Sequence, residues 1–162
     1  MTMIIDGTNG LTFNNGTTQA SAGQVLQVVN ATYGTEVSSA TSTQIATGLT
    51  ASITPKFSTS KILVIANLNG VGHTTNNTSV ESYLRRNTTQ LYRMSLIAGA
   101  NDANSGNNTT DVGSVSTTYL DSPATTSSTS YNCTFASQQN NATAYVQRYG
   151  STSSITLMEI AG

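Results

Sequence analysis

Apolar residues in this chain come in short runs separated by Gly, Asn, Ser and Thr, and where they alternate the period is two. Tyr131, Cys133 and Phe135 alternate with Asn132 and Thr134, and Tyr83 and Arg85 alternate with Leu84 and Arg86. A period of two sends successive side chains to opposite faces of a strand. No long segment carries a helical period. The pattern predicts strands over 24–30, 35–40, 43–46, 49–53, 61–69, 80–86, 90–98, 114–120, 130–136, 143–148 and 154–160. Within them, Ile62-Leu63-Val64-Ile65-Ala66 is continuously apolar and reads as a central strand covered on both faces. Short strands at this spacing, about ten of them, predict an all-β fold: an antiparallel, jelly-roll-like β-sandwich.

Two ends of the sequence stand apart from this pattern. The last ten residues include Ile155, Leu157, Met158 and Ile160, an apolar strand that gains nothing by fraying into water. Ile155, Leu157 and Ile160 are therefore expected to be buried, in the sandwich core or against further copies of the chain. Residues 1–23 hold small apolar anchors, Ile4-Ile5 and Leu11-Thr12-Phe13, between Asp6-Gly7, Asn9-Gly10 and Asn15-Gly16 turn signals. Anchors this sparse cannot build a core. The organisation expected is an extended N-terminal arm over 1–23, needing a partner surface for Leu11 and Phe13, followed by a β-sandwich domain over 24–162.

Composition narrows the possible partners. Charged residues make up 8% of the chain, against a usual share of about a quarter, while Thr, Ser and Asn supply about two-fifths of it. With six Lys or Arg against seven Asp or Glu, there is no basic footprint for nucleic acid, whose sequence-independent affinity requires several phosphates to be neutralised. Low charge also means little repulsion between copies, which permits homo-oligomers. The single Cys133 rules out an internal disulfide and reads as a buried, inert thiol. No secretory signal pattern opens the sequence, and no apolar run is long enough to span a bilayer, so neither secretion nor membrane insertion is expected.

The candidate chemistry is sparse. His73, the only histidine, has no supporting motif around it for nucleophilic catalysis, and the seven acids do not cluster as a glycosidase pair would. The chain reads as non-enzymatic and without a cofactor. One Cys and one His fall short of a transition-metal ligand set. Asn101, Asp102 and Asn104 offer oxygen ligands for calcium without the EF-hand spacing, and a plain turn is the better reading. Arg85, Arg86 and Arg93 are expected to form salt bridges with Glu81 or Asp121, a carboxylate on a partner being the sharper alternative. Polar loops near 73–77 and 99–110 are where contacts to another molecule are expected, at His73, Asn76, Asn77, Asp102 and Asn104.

The segments Gln24-Val25-Leu26-Gln27-Val28-Val29, Gly48-Leu49-Thr50-Ala51-Ser52-Ile53-Thr54-Pro55 and Ser58-Thr59-Ser60-Lys61-Ile62-Leu63-Val64 resemble those of bacteriophage virion and tail-fibre proteins. The Asp121-Ser122-Pro123 element and the closing strand Ile155-Thr156-Leu157-Met158-Glu159-Ile160 are similar too, and Leu11-Thr12-Phe13-Asn14-Asn15-Gly16 looks like the segments that precede phage fibre domains. The resemblance implies a homotrimer of compact sandwiches carried by N-terminal arms, made in a bacterial cytoplasm and located in the virion. The arm would dock on another virion protein, of tail or capsid, and the polar loops would meet a host surface glycan or protein. The alternative is a capsid decoration or head-fibre protein that stabilises the shell or projects from it.

Overall fold

The computed structural model describes residues 4–6, 10–12, 18–19, 23–74, 78–98, 110–138 and 142–162. Strands β1 (Ile4–Asp6), β2 (Gly10–Thr12) and β3 (Thr18–Gln19) pair antiparallel in that order, so the extended pieces expected in the arm hydrogen-bond to one another. The rest is all β and antiparallel, built on two sheets that enclose one core.

The first sheet runs β4 (Val25–Tyr33), β13 (Ser153–Ile160), β7 (Lys61–His73), with β10 (Thr110–Asp121) on the far edge of β7. Beyond the end of β13, the short strands β12 (Ala144–Val146) and β5 (Val37–Ser39) continue the sheet from the last residues of β7. The second sheet runs β6 (Ile45–Ile53), β11 (Thr129–Ser137), β8 (Ser79–Arg86), β9 (Thr89–Ala98). Two segments read from sequence as separate strands, 43–46 and 49–53, are one strand: Gly48, with φ +85°, sits in a bulge, and pairing with β11 resumes on both sides of it. Glycine is required there. A Cβ would lie 2.3 Å from the ring of Tyr33, which crosses from β4 onto β6 and closes one side of the sandwich. On the opposite side Tyr92 of β9 meets Tyr119 of β10, ring centroids 6.0 Å apart.

Alternation fills the interior. Leu49, Ala51 and Ile53 from β6 face Ile62, Val64, Ala66 and Leu68 from β7, with Tyr131, Cys133 and Phe135 from β11 and Ile155 and Leu157 from β13 between them. Each fully buried side chain of this size contributes about 1.5–3 kcal/mol relative to exposure. Cys133 is enclosed, and burial pushes its thiol up to about 12. The expectation that 61–69 is covered on both faces requires correction. β7 is central in the hydrogen-bonding sense, between β13 and β10, but Leu63 and Ile65 lie on its outer face and Ile65 is 40% exposed. On that face Val28, Met158, Leu63 and Leu120 stand directly opposite one another across four strands.

The connections segregate to two poles. At one pole the Gly23 N–H donates to the Ala161 carbonyl and the Ala161 N–H to the Gln24 carbonyl, both at 2.8 Å, so chain entry and the final strand are tied together. The turn after Arg86 and the segments 54–60 and 122–128 are also there, since Ile62 pairs with both Asp121 and Glu159, and Ile53 with Thr129. His73 pairs with Thr110 and Ala144 at the other pole, Ser79 with Ala98, and the Ser137 N–H donates to the Thr41 carbonyl. The connections following β5, β7, β9 and β11 therefore leave the sandwich at the pole opposite the arm.

Candidate functional site

The strongest candidate site lies on the first sheet, where β7 loses contact with β13 and has not yet met β12. β13 pairs with β7 as far as Asn67, and β12 begins at Gly72. Residues 147–152 must bridge that interval beside β7, and they do so through three positive φ angles: Gln147 at 56°, Tyr149 at 56° and Gly150 at 74°. Non-glycine residues in this region are uncommon and cost of order 1–3 kcal/mol when strained, so surrounding contacts must hold them. The Gln147 N–H donates to the Asn69 carbonyl at 2.9 Å, and its buried side-chain Nε2 donates to Ser153 Oγ at 2.9 Å. The same Oγ accepts the Asn69 N–H at 3.0 Å. Asn69 Nδ2 in turn donates to the Thr152 carbonyl at 2.6 Å, and its Oδ1 accepts from Ser114 of β10 at 2.6 Å.

Gly70 makes the close approach possible. Its φ is +61°, and a Cβ on it would lie 2.4 Å from the Arg148 nitrogen and 2.7 Å from the Arg148 oxygen. Opposite it, the β7–β10 register slips between Ser114 and Gly113, so that β7 accommodates one residue more than its partner. The bulge and the bridging segment together leave a groove of about 390 Å³, walled by Asn69, Gly70, Ser114, Arg148, Tyr149 and Thr152 among others. The Arg148 guanidinium carbon lies 4.4 Å from the Tyr145 ring centroid and 4.6 Å from that of Tyr149, which fixes the cation by stacking on both rings. Tyr149 itself is 74% exposed. Arg148 is the charged residue among the described residues that wall the groove.

The residues singled out in sequence fall elsewhere. Ile155 and Leu157 are fully buried in the chain's own core, while Ile160 is half-buried on the opposite face with Met158. His73 was expected on a polar loop and instead ends β7 with its side chain buried, because β7 runs on past the bulge at Gly70 and pairs with β10 as far as His73. Neither ring nitrogen of His73 has a hydrogen-bond partner among the described residues. Asn76, Asn77, Asn101, Asp102, Asn104 and Phe13 lie outside the described residues. Leu11 is placed by its backbone, pairing with Ile5 and Gln19 in the arm sheet.

The three strand arginines are engaged within the domain. Arg86 pairs with Asp121 at 2.9 Å and Arg93 with Glu81 at 3.0 Å, the partners expected from sequence. Arg85 donates to Gln44 at 2.8 Å and to the Thr88 carbonyl. Sequence reading passed over Arg148 and Tyr149, whose signal was an arginine three residues from one tyrosine, next to a second, and followed by Gly150. In a chain with so few charges that cluster was the local anomaly. No protein-family profile matches this chain, and no curated protein sequence is similar to it.

Proposed function

We propose that this chain is a non-enzymatic structural protein of a bacteriophage virion, a trimeric fibre component with a jelly-roll-like domain, that docks on the particle through its arm and contacts the host surface. The observation that carries the reading is the polarity of the sandwich. The arm joins at the pole where the Gly23 N–H meets the Ala161 carbonyl, and the connections after β7, β9 and β11, rich in Asn and Thr, leave at the other. A domain tethered at one end and carrying polar connections at the other suits presentation of loops away from a particle. The apolar row Val28, Met158, Leu63 and Leu120, with Ile65 and Ile160 on the same face, supports packing between copies, since it offers an apolar strip on the outside of the sheet. Ile155 and Leu157 are committed to the core, so the outer face replaces them as the contact between copies.

The test is immunogold labelling of source particles with antibody against residues 24–162, together with sedimentation equilibrium of the purified chain. Gold on the tail or its appendages and a trimer in solution are the expected results. Gold over the head moves the protein to a decoration role, and unlabelled particles overturn the virion assignment.

A further inference from the structure

The geometry points to a carboxylate-recognition site on the outer face of the second sheet, where Arg85 receives the carboxylate of an acidic saccharide and neighbouring amides and hydroxyls meet its hydroxyl groups. The inference rests on the adsorption reading for its biological setting, while its physical basis is local. Alternation sets the face. Leu84, Tyr131, Cys133, Leu49 and Ala51 are buried in the core, so Arg85, Asn132 and Thr50 beside them point outward. Register then sets Gln90, Arg85, Asn132 and Thr50 directly opposite one another on the four strands of the sheet. Gln90 and Thr50 are exposed, and Arg85 and Asn132 are half-buried.

Arg85 differs from the other two strand arginines in its partners. Asp121 offsets Arg86, and Glu81 offsets Arg93. Glu81 shares the face of Arg85 but stands four residues away along β8, about 13 Å, and it also accepts from the Tyr83 hydroxyl. The acceptors that Arg85 does meet are neutral: its Nη1 donates to Gln44 Oε1 at 2.8 Å and its Nη2 to the Thr88 carbonyl. Two of five N–H donors are engaged in this way, which orients the guanidinium plane without neutralising it. Gln44 is itself held, because its Oε1 accepts from Thr134 Oγ1 at 2.9 Å and its Nε2 donates to Gln90 Oε1 at 2.9 Å. The cation is therefore organised before a ligand arrives, and less ordering is left for binding to oppose.

The surroundings decide the ligand class. Gln90, Asn132 and Thr50 supply amides and a hydroxyl of the kind that exchange hydrogen bonds with sugar hydroxyls. No aromatic or aliphatic side chain belongs to this row, and such anchors dominate protein–protein contacts. The row lies on the flank of the sandwich, next to the turn after Arg86 at the arm pole, a position that suits a polymer extending alongside the domain. An open face of this kind binds weakly through one site and more firmly when several copies engage one polymer.

The experiment uses the full chain against immobilised polygalacturonate, alginate and neutral dextran, with binding followed by biolayer interferometry. Wild type is expected to bind the two carboxylated polysaccharides in preference to dextran, more weakly as salt rises. Arg85→Gln should unfold at the wild-type temperature and bind them at least about tenfold more weakly. Gln90→Glu supplies a carboxylate opposite Arg85 from within the chain, so it should lose the preference too while leaving the arginine in place. Lys61→Gln removes the same charge from the exposed face of the other sheet and should bind like wild type. Absence of wild-type preference, Arg85→Gln and Gln90→Glu variants that bind like wild type, or an equal loss in Lys61→Gln would each overturn the site. Retention of an acidic envelope protein through Arg85, with no polysaccharide bound, would overturn the saccharide as its ligand.

Competition for adsorption separates this inference from the functional reading. If wild type and Arg85→Gln block adsorption of source particles equally, adsorption stands and the Arg85 site is wrong. If wild type captures carboxylated polysaccharide through Arg85 but does not block adsorption, the site stands and the adsorption reading fails.

Discussion

Arg86 and Asp121 join the two sheets: one guanidinium nitrogen of Arg86, on β8, lies 3.0 and 2.9 Å from the two carboxylate oxygens of Asp121, at the end of β10. Tyr131 of β11 donates its hydroxyl to the same carboxylate at 2.6 Å, and both Asp121 and Tyr131 are buried. Burial, and then the neighbouring Asp121, pushes the Tyr131 hydroxyl well above its ordinary value, so it stays a donor at every working pH. The Asp121-Ser122-Pro123 element is thus tied to the core at its first residue.

Removing the charge from this carboxylate leaves Arg86 without its counter-ion in a largely covered position. Asp121→Asn should destabilise the domain by about 2–3 kcal/mol. Tyr131→Phe, which leaves the ion pair in place, should cost only about 1 kcal/mol. Urea unfolding monitored by tyrosine fluorescence measures both. Equal losses for the two variants would show that the ion pair contributes little.

Glu159 is completely buried although it sits in the closing strand. Its Oε2 accepts from Gln27 Nε2 at 2.6 Å and its Oε1 from the Lys56 N–H at 2.6 Å, fastening β4 and the 54–60 segment to β13. Burial pushes the carboxyl up, but these hydrogen bonds prevail, and its pKa falls below the ordinary 4.5. A carboxylate with a lowered folded pKa stabilises the native state above its unfolded value, and that contribution is lost as pH falls through the folded one. Wild type should therefore lose stability below the ordinary carboxylate value, and Glu159→Gln should lose less over the same range. Thermal unfolding from pH 7 down to pH about 3 tests this; parallel curves would exclude Glu159 as a source of acid lability.

Gly70→Ala places a methyl group against the Arg148 backbone, in a left-handed conformation that alanine disfavours. The expected cost is about 2–4 kcal/mol, from overpacking together with backbone strain. Gly113 also has a positive φ, but nothing lies within 4 Å of a Cβ built there. Gly113→Ala should cost only about 1 kcal/mol. Comparable midpoints in chemical unfolding for the two variants would mean that the 147–152 segment gives way easily.

His73 buries two ring nitrogens without partners among the described residues. An unsatisfied buried polar group costs about 1–3 kcal/mol, and an apolar replacement of similar size removes that cost. His73→Leu should raise the unfolding midpoint, by a stability gain of about 1 kcal/mol. Calorimetry showing a lower midpoint would indicate that the imidazole has a structural role.

Strand content and the core were legible in the sequence because the two-residue period and burial have the same cause. Ile155 and Leu157 were expected to be buried, and Arg86 and Arg93 were expected to find Asp121 and Glu81, since a chain with so few charges offers few other partners. The ends of strands were less legible. Gly48, Gly70 and Gly72 resemble breaks, yet β6 and β7 run through them, because Gly48 and Gly70 are taken up as bulges and pairing with β11 and β10 resumes beyond them.

The sequence alone determined an all-β, weakly charged domain with an apolar closing strand, because alternation and composition are local properties. Only the tertiary structure decided which apolar residues face inward and which form the exposed row across Val28, Met158, Leu63 and Leu120. Only it could bring Gly70 beneath Arg148, 78 positions apart in the chain. The groove is a product of register, of where β13 stops pairing with β7 and β12 begins, and register is set by long-range hydrogen bonds that no single segment encodes.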